Sequence, residues 1–166
     1  MKKIYIAGYD VFKQNSIEIG KHYVNLCEKY GFKGLYPLDN VVDFNQNKKN
    51  KIAQDIYKAN VELIHNSDIV IANLNQFRGK EADSGTIWEC GYAKALGKDV
   101  YGYMSNNKSY LDTFNNDEKK LLNGLYVDID NMVIEDFDYP INLMIACSVN
   151  NIVIGSFENC LKELSK

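Results

Sequence analysis

The chain has 166 residues, enough for one ordinary domain with a sizeable core and too few for two comfortable ones. Its 46% apolar and 25% charged residues, with 12 Tyr against 2 Pro, exclude a disordered or low-complexity chain. A net charge of -3 gives no electrostatic footing for a phosphate backbone, so no nucleic-acid polymer is expected as a partner.

Lys2 to Ala7 reads as a short apolar strand ending at Gly8. The apolar run after Met1-Lys2-Lys3 is too brief for a signal peptide or a membrane span, which points to a cytoplasmic protein with no membrane partner. Ser16 to Tyr30 follows as an amphipathic helix stopped by Gly31, and a brief second strand around Gly34 to Tyr36 runs into Pro37-Leu38-Asp39-Asn40. The Asn-rich stretch through Asn50 has the composition of a loop bordering a site. Apolar positions Ile52, Ile56, Ala59, Leu63 and Ile64 recur at helical spacing from about Lys51 to Asn66, and Asp68 to Leu74 is a nearly continuous apolar strand, as expected of one buried on both faces.

After the loop Asn75 to Gly85, a helix runs to Leu96 and is closed by Gly97, and Val100 to Met104 supplies another strand. Lys108 to Asn123 is polar and expected to be helical in part, Asp128 to Tyr139 reads as an acidic loop, and Ile141 to Ser148 as a helix. Ile152 to Ile154 is a last strand and Ser156 to Leu164 a closing helix with Ser156 as its cap. This alternation predicts an α/β fold: a single domain over 1–166, flavodoxin-like or Rossmann-like, with a doubly wound parallel sheet of about five strands and helices on both faces. Ligands of such sheets sit outside the carboxyl ends of the strands, so the loops after Ala7, Leu74 and Met104 should share one crevice.

Cys27, Cys90, Cys147 and Cys160 have no C-x-x-C spacing and only His22 and His65 as nitrogen co-ligands, so packed free thiols are expected and no metal is implied. Cys90 has no His nearby in sequence to act as its base. The first loop, Gly8-Tyr9-Asp10-Val11-Phe12, lacks the G-x-G-x-x-G of dinucleotide sites, and no cofactor is implied.

The densest chemical signal is the run from Asp83 to Ala93, placed at a loop-to-helix transition on the expected binding edge. Gly85 and Gly91 allow close backbone approach, and Asp83 and Glu89 could both face the crevice as the carboxylate pair that glycosyl chemistry uses. Thr86-x-x-Glu89 is equally a capping box, worth about 0.5 to 2 kcal/mol of helix stability, and spacing alone favours that reading.

The same segment resembles the active-site motif of the nucleoside 2-deoxyribosyltransferases, D-x-G-T-x-x-E-x-G-x-A, at every fixed position from Asp83 through Ala93. Ile4 to Gly8, Tyr36 to Asn40, Asn73-Leu74 with Phe77-Arg78-Gly79, and Pro140 to Met144 are similar to further family segments in the right order. Ser156-Phe157-Glu158 resembles the closing helix of the purine-preferring, trypanosomal-like branch. The resemblance implies a transferase that moves a 2-deoxyribosyl group between bases. Its partners would be a small-molecule deoxynucleoside and a free nucleobase, in purine salvage.

In that reading Glu89 is the nucleophile, Asp83 faces the base and helps protonate it, and Tyr5 lies against Glu89. Gly8, Phe12, Asn60 and Gly85 would bind substrate, together with Asn142 from a neighbouring subunit. That last assignment implies a homo-oligomer with shared active sites, a dimer or a dimer-based assembly such as a tetramer or hexamer. Asn142 also reads as a helix cap, and Asn60 as a solvent-facing helix residue. Val41 stands where other members carry a glutamine, which with Asn60 leaves base preference open. Phe12, Phe44, Phe77 and Trp88 are the candidate flat surfaces for a base, Phe12 foremost. Two other functions compete: a 2'-deoxynucleoside 5'-phosphate N-hydrolase with the same nucleophile, and a non-catalytic nucleotide-binding module.

Overall fold

The computed structural model describes residues 1–39 and 48–166. Asn40, Val41 and Phe44, and with them the middle of the Asn-rich stretch, lie outside the described residues. The central sheet is formed by β1 (Lys3–Ala7), β2 (Lys33–Leu35), β3 (Ile69–Asn73), β4 (Asp99–Met104) and β7 (Asn151–Ile154). All neighbours are parallel, in the order β2-β1-β3-β4-β7. This is the expected five-stranded, doubly wound arrangement.

Period-two alternation along the strands divides the core into two layers. Ile4, Ile6, Ile69 and Ile71 point to the side covered by α1 (Ser16–Lys29) and α5 (Phe157–Leu164), where Cys27, Phe157, Cys160 and Leu161 are buried. Tyr5, Ala7, Val70 and Ala72 point to the opposite side, against Ile64 of α2 (Lys49–Asn66), Cys90 and Ala93 of α3 (Ser84–Ala95) and Ile145 of α4 (Leu143–Ala146). β3 is buried along its whole length, because it has strands on both sides and helices on both faces. Ser156 caps α5 as expected: its backbone N–H donates to Asn159 Oδ1 at 2.9 Å and its hydroxyl to the same atom at 2.8 Å.

The segment from 108 to 123 departs from expectation. In place of a helix it contains a single 3-10 turn at Leu111–Thr113 and then β5 (Lys119–Leu122), which pairs antiparallel with β6 (Leu125–Asp128). The turn is Asn123-Gly124, both with positive φ (51° and 83°), the backbone that a two-residue hairpin requires. The expected helix over 141–148 is likewise shortened to the single turn of α4. Among the described residues no helix is long and apolar enough to cross a membrane.

Candidate active site

β1 is flanked by β2 on one side and β3 on the other, so the chain leaves the sheet in opposite directions there and a crevice opens beyond the strand ends. A cavity of about 370 Å³ occupies that position, within the roughly 300 to 1,000 Å³ of small-molecule sites. Gly8, Val11 and Phe12 line it from the first loop, Pro37 and Leu38 from the second, Ile56 and Asn60 from α2, and Asp83, Gly85, Thr86 and Glu89 from the start of α3. Six residues marked out in the sequence, Gly8, Phe12, Asn60, Asp83, Gly85 and Glu89, thus meet in one pocket.

Tyr5 lies beneath them in β1, fully buried, and its hydroxyl donates to Glu89 Oε1 at 2.6 Å. The contact follows from strand alternation, since Tyr5 faces the layer in which α3 packs. Burial raises the Glu89 carboxyl from its ordinary 4.5 to about 7; the Tyr5 hydrogen bond opposes that rise and the nearby Asp83 charge adds to it. Burial and the neighbouring Glu89 push the Tyr5 phenol far up, so it stays protonated and remains a donor. Near neutrality Glu89 is therefore divided between a poorly solvated carboxylate and its acid, a condition suited to nucleophilic or proton-transfer chemistry.

The capping-box reading of Thr86 and Glu89 is corrected by the geometry. Asp83 is the N-cap of α3, its Oδ2 accepting from the Thr86 backbone N–H and from the Thr86 hydroxyl, both at 2.9 Å. Thr86 is the capped residue rather than the cap, which leaves Glu89 a full turn further on with no helix-end donor to satisfy. Asp83 Oδ1 accepts no hydrogen bond among the described residues, so one oxygen holds the helix while the other is available to the cavity.

Gly8 has φ 157° and ψ 159°, a region in which only glycine is comfortable, and a Cβ there would lie 2.8 Å from Asn73 Cβ. Two buried polar residues that pattern reading passed over explain why the loop holds this shape. Asp10 Oδ2 accepts from Asn73 Nδ2 at 2.8 Å, and its Oδ1 lies 2.6 Å from Lys13 Nζ. Asn73 Oδ1 in turn accepts from the side chain of Asn75 at 2.8 Å. The first loop is thereby tied to the end of β3, and Val11 and Phe12 are held on the cavity wall. Asp10 and Asn73 stand 63 positions apart, and the one local signal, a charged residue directly after a buried strand, is weak on its own.

Of the other flat side chains, Phe77 lies outside the cavity lining and stacks between Tyr9 and Phe12, at centroid distances of 5.1 and 5.4 Å. Trp88 borders an adjoining depression with Tyr57, Asn60, Gly85 and Glu89. Asn142 does not line the cavity of its own chain. It is the N-cap of α4, accepting from the Met144 N–H at 2.9 Å while its amide donates to Glu135 at 2.6 Å. Cys90 is buried away from the cavity with its thiol pushed up to about 12 by burial; Cys27 and Cys160 are also buried, whereas Cys147 is exposed, contrary to the expectation of packed thiols. Among the described residues no group of three or more His, Cys, Asp or Glu side chains could hold a metal ion.

With this geometry in hand, similarity to known proteins is informative. A 2-deoxyribosyltransferase structure from Leishmania mexicana superimposes with a TM-score of 0.75 at 28% identity, covering 99% of this chain and 97% of that one. A 2-deoxyribosyltransferase from Bacillus psychrosaccharolyticus, at 19% identity and a TM-score of 0.62, covers 96% of this chain and 90% of its own and supports the fold. An uncharacterized protein of Schizosaccharomyces pombe, C191.05c, is 28% identical over 109 residues, 64% of this chain, and the chain spans about half (52%) of that relative's length. The family model described as nucleoside 2-deoxyribosyltransferase matches residues 4–144, from β1 through the cap of α4 and across every cavity residue named above. The chain belongs to the nucleoside 2-deoxyribosyltransferase family.

Proposed function

We propose that this protein transfers the 2-deoxyribosyl group of a deoxynucleoside from one nucleobase to another by double displacement on Glu89. The observation that carries the reading is the Glu89 carboxylate, poorly solvated and held by Tyr5, at the floor of a nucleoside-sized cavity within the family motif. An oxygen of Glu89 attacks C1' from the face opposite the base. The C1'–N bond breaks, its electron pair leaves with the base, and Asp83 supplies or relays the proton that neutralises it. A nitrogen of the second base then attacks C1', its proton passing to or through Asp83, and the C1'–O bond breaks with its electron pair returning to Glu89, so two inversions restore the original anomer. The Asn60 amide, which both donates and accepts, and the Phe12 ring serve the base.

Incubation with deoxyinosine and excess adenine is expected to give deoxyadenosine and hypoxanthine, separable by chromatography, and the products should be absent with Glu89→Ala. Free deoxyribose and hypoxanthine alone would instead mark a hydrolase. Turnover only with deoxynucleoside monophosphates would identify the 5'-phosphate hydrolase, and nucleoside binding without any turnover a binding module.

The proposed active unit is a homo-oligomer in which Asn142 reaches a neighbour's site. Support comes from the strongly exposed apolar side chains Leu121, Ile129, Met132, Val133 and Met144, on and around the hairpin and α4, which a lone monomer would leave in water. Asn142→Ala is expected to lower activity roughly tenfold to a hundredfold, the scale of a lost hydrogen bond to a charged or reacting group. Mixing it with inactive Glu89→Ala under subunit exchange should restore activity, because some hybrid sites carry both native residues. No restoration would reduce Asn142 to the cap of its own helix.

A further inference from the structure

The depression beside the proposed active site is a second chamber of about 340 Å³. It shares Asn60, Gly85 and Glu89 with the first, and its remaining walls are the rings of Tyr57 and Trp88. Phe12 lines only the first chamber and Trp88 only the second, so the two rings offer separate surfaces joined by the same three residues.

Both ring walls are open to water: Tyr57 is 54% exposed, and Trp88, the chain's single tryptophan, 45%. Trp88 is nonetheless held in place. Its ring stacks on Tyr92, one turn further along α3, at 4.9 Å between centroids and 12° between planes. Tyr92 is fixed in turn by His65 of α2, whose Nε2 lies 2.8 Å from the Tyr92 hydroxyl. Tyr57, also from α2, approaches Trp88 at 5.6 Å with its plane tilted by 60°. Rings four residues apart stabilise a helix without any ligand, which accounts for Trp88 on Tyr92. That does not account for Tyr57, which comes from another helix and forms with Trp88 an exposed recess beside Glu89. Rings already fixed in a recess suit a flat ligand, because little side-chain freedom is lost when it stacks.

We infer that Tyr57 and Trp88 form a second nucleobase subsite, which holds a free base beside Glu89 and apart from the base surface at Phe12. The inference takes its class of ligand from the transferase reading, in which one base departs and another arrives at the sugar carried by Glu89. Every base has a π-face, so the subsite selects flat heterocycles and does not discriminate among bases. Among the described residues its lining holds the Glu89 carboxyl and no cationic side chain, which favours a free base over a nucleotide bearing phosphate.

Trp88 is its own reporter. Adenine is titrated into the protein with no nucleoside present, so binding is read without turnover, and Trp88 fluorescence is expected to fall saturably as the base stacks on the ring. Tyr57→Ala should weaken the quenching roughly tenfold, the scale of a lost base–ring stack, whereas Phe12→Ala should leave it in place. Equilibrium dialysis should count one adenine fewer per chain in Trp88→Leu than in the native protein. Absence of quenching, equal counts in dialysis, or quenching lost in Phe12→Ala and kept in Tyr57→Ala would overturn the subsite. So would a Trp88 emission that moves to the red on dilution of the protein, the mark of a ring covered by a second copy of the chain. Quenching in a protein that transfers no deoxyribosyl group would uphold the subsite and defeat the transferase reading; transfer without quenching would do the reverse.

Discussion

Glu89→Gln is expected to abolish transfer while making the protein more stable at alkaline pH. Loss of the attacking oxygen should reduce turnover by about a thousandfold or more, the scale seen when a covalent nucleophile is removed. The stability gain follows from the raised carboxyl, about 7 in the folded chain against an ordinary 4.5. Between those values the folded state holds more protons than the unfolded state, so the Glu89 contribution to stability falls as pH rises through that window. Above about pH 7 the full cost is present, on the order of 3 kcal/mol at 1.36 kcal/mol per pH unit. The amide keeps an oxygen for the Tyr5 hydroxyl and carries no charge. Thermal melts at pH 8 should show the variant several degrees above the native protein, with the difference vanishing near pH 4.5. A variant less stable than the native protein at pH 8 would mean that the carboxylate holds the fold together, as a capping residue does.

That a buried carboxylate at the cavity floor should weaken the fold is consistent with what the sequence could and could not reveal. The parallel sheet was legible because β3 is apolar at every position and the helices around it keep a 3.6-residue rhythm, signals that arise from burial and survive any detail of packing. The hairpin of β5 and β6 was not, although Asn123-Gly124 is a strong turn signal. Its strands, Lys119 to Leu122 and Leu125 to Asp128, lack apolar alternation and expose most of their side chains, so no face pattern announced them. The capping ambiguity at α3 had a similar origin: Thr86-x-x-Glu89 has the spacing of a box, and no local pattern shows that Asp83, three residues earlier, holds the helix end instead. Asp83 takes the cap because its Oδ2 reaches both the N–H and the hydroxyl of Thr86.

The site was legible in a different way. Gly8, Phe12, Asn60, Asp83, Gly85 and Glu89 come from three separate segments, and family resemblance rather than local pattern joined them. The Tyr5 to Glu89 contact spans 84 positions and depends on which face of β1 the tyrosine occupies. Asn73 belongs to a segment similar to the family, but no spacing joins it to Asp10 and Asn75 in one network. That network exists because a glycine-led loop beside a strand end must bury polar groups and satisfy them locally.

Tyr5→Phe is the sharpest test of how the site holds its carboxylate. The change removes a single oxygen from a fully buried ring, so packing of β1 against α3 should be little disturbed. What is lost is the 2.6 Å hydrogen bond to Glu89, the contact that opposes the effect of burial on its acidity. A hydrogen bond to a charged group contributes about 1.5 to 3 kcal/mol, so the Glu89 carboxyl should rise by a further one to two pH units. In the proposed mechanism Glu89 must be ionised to attack C1', and kcat/KM reports ionisation of the free enzyme, so its acid limb should move from near pH 7 toward about 8 to 9. At pH 6.5 the variant should be about tenfold to a hundredfold slower than the native protein, recovering part of the loss as pH rises. A uniform fall at all pH values, with the limb unmoved, would assign Tyr5 to orienting the carboxylate rather than to stabilising its charge. An unchanged rate and profile would remove Tyr5 from the mechanism altogether.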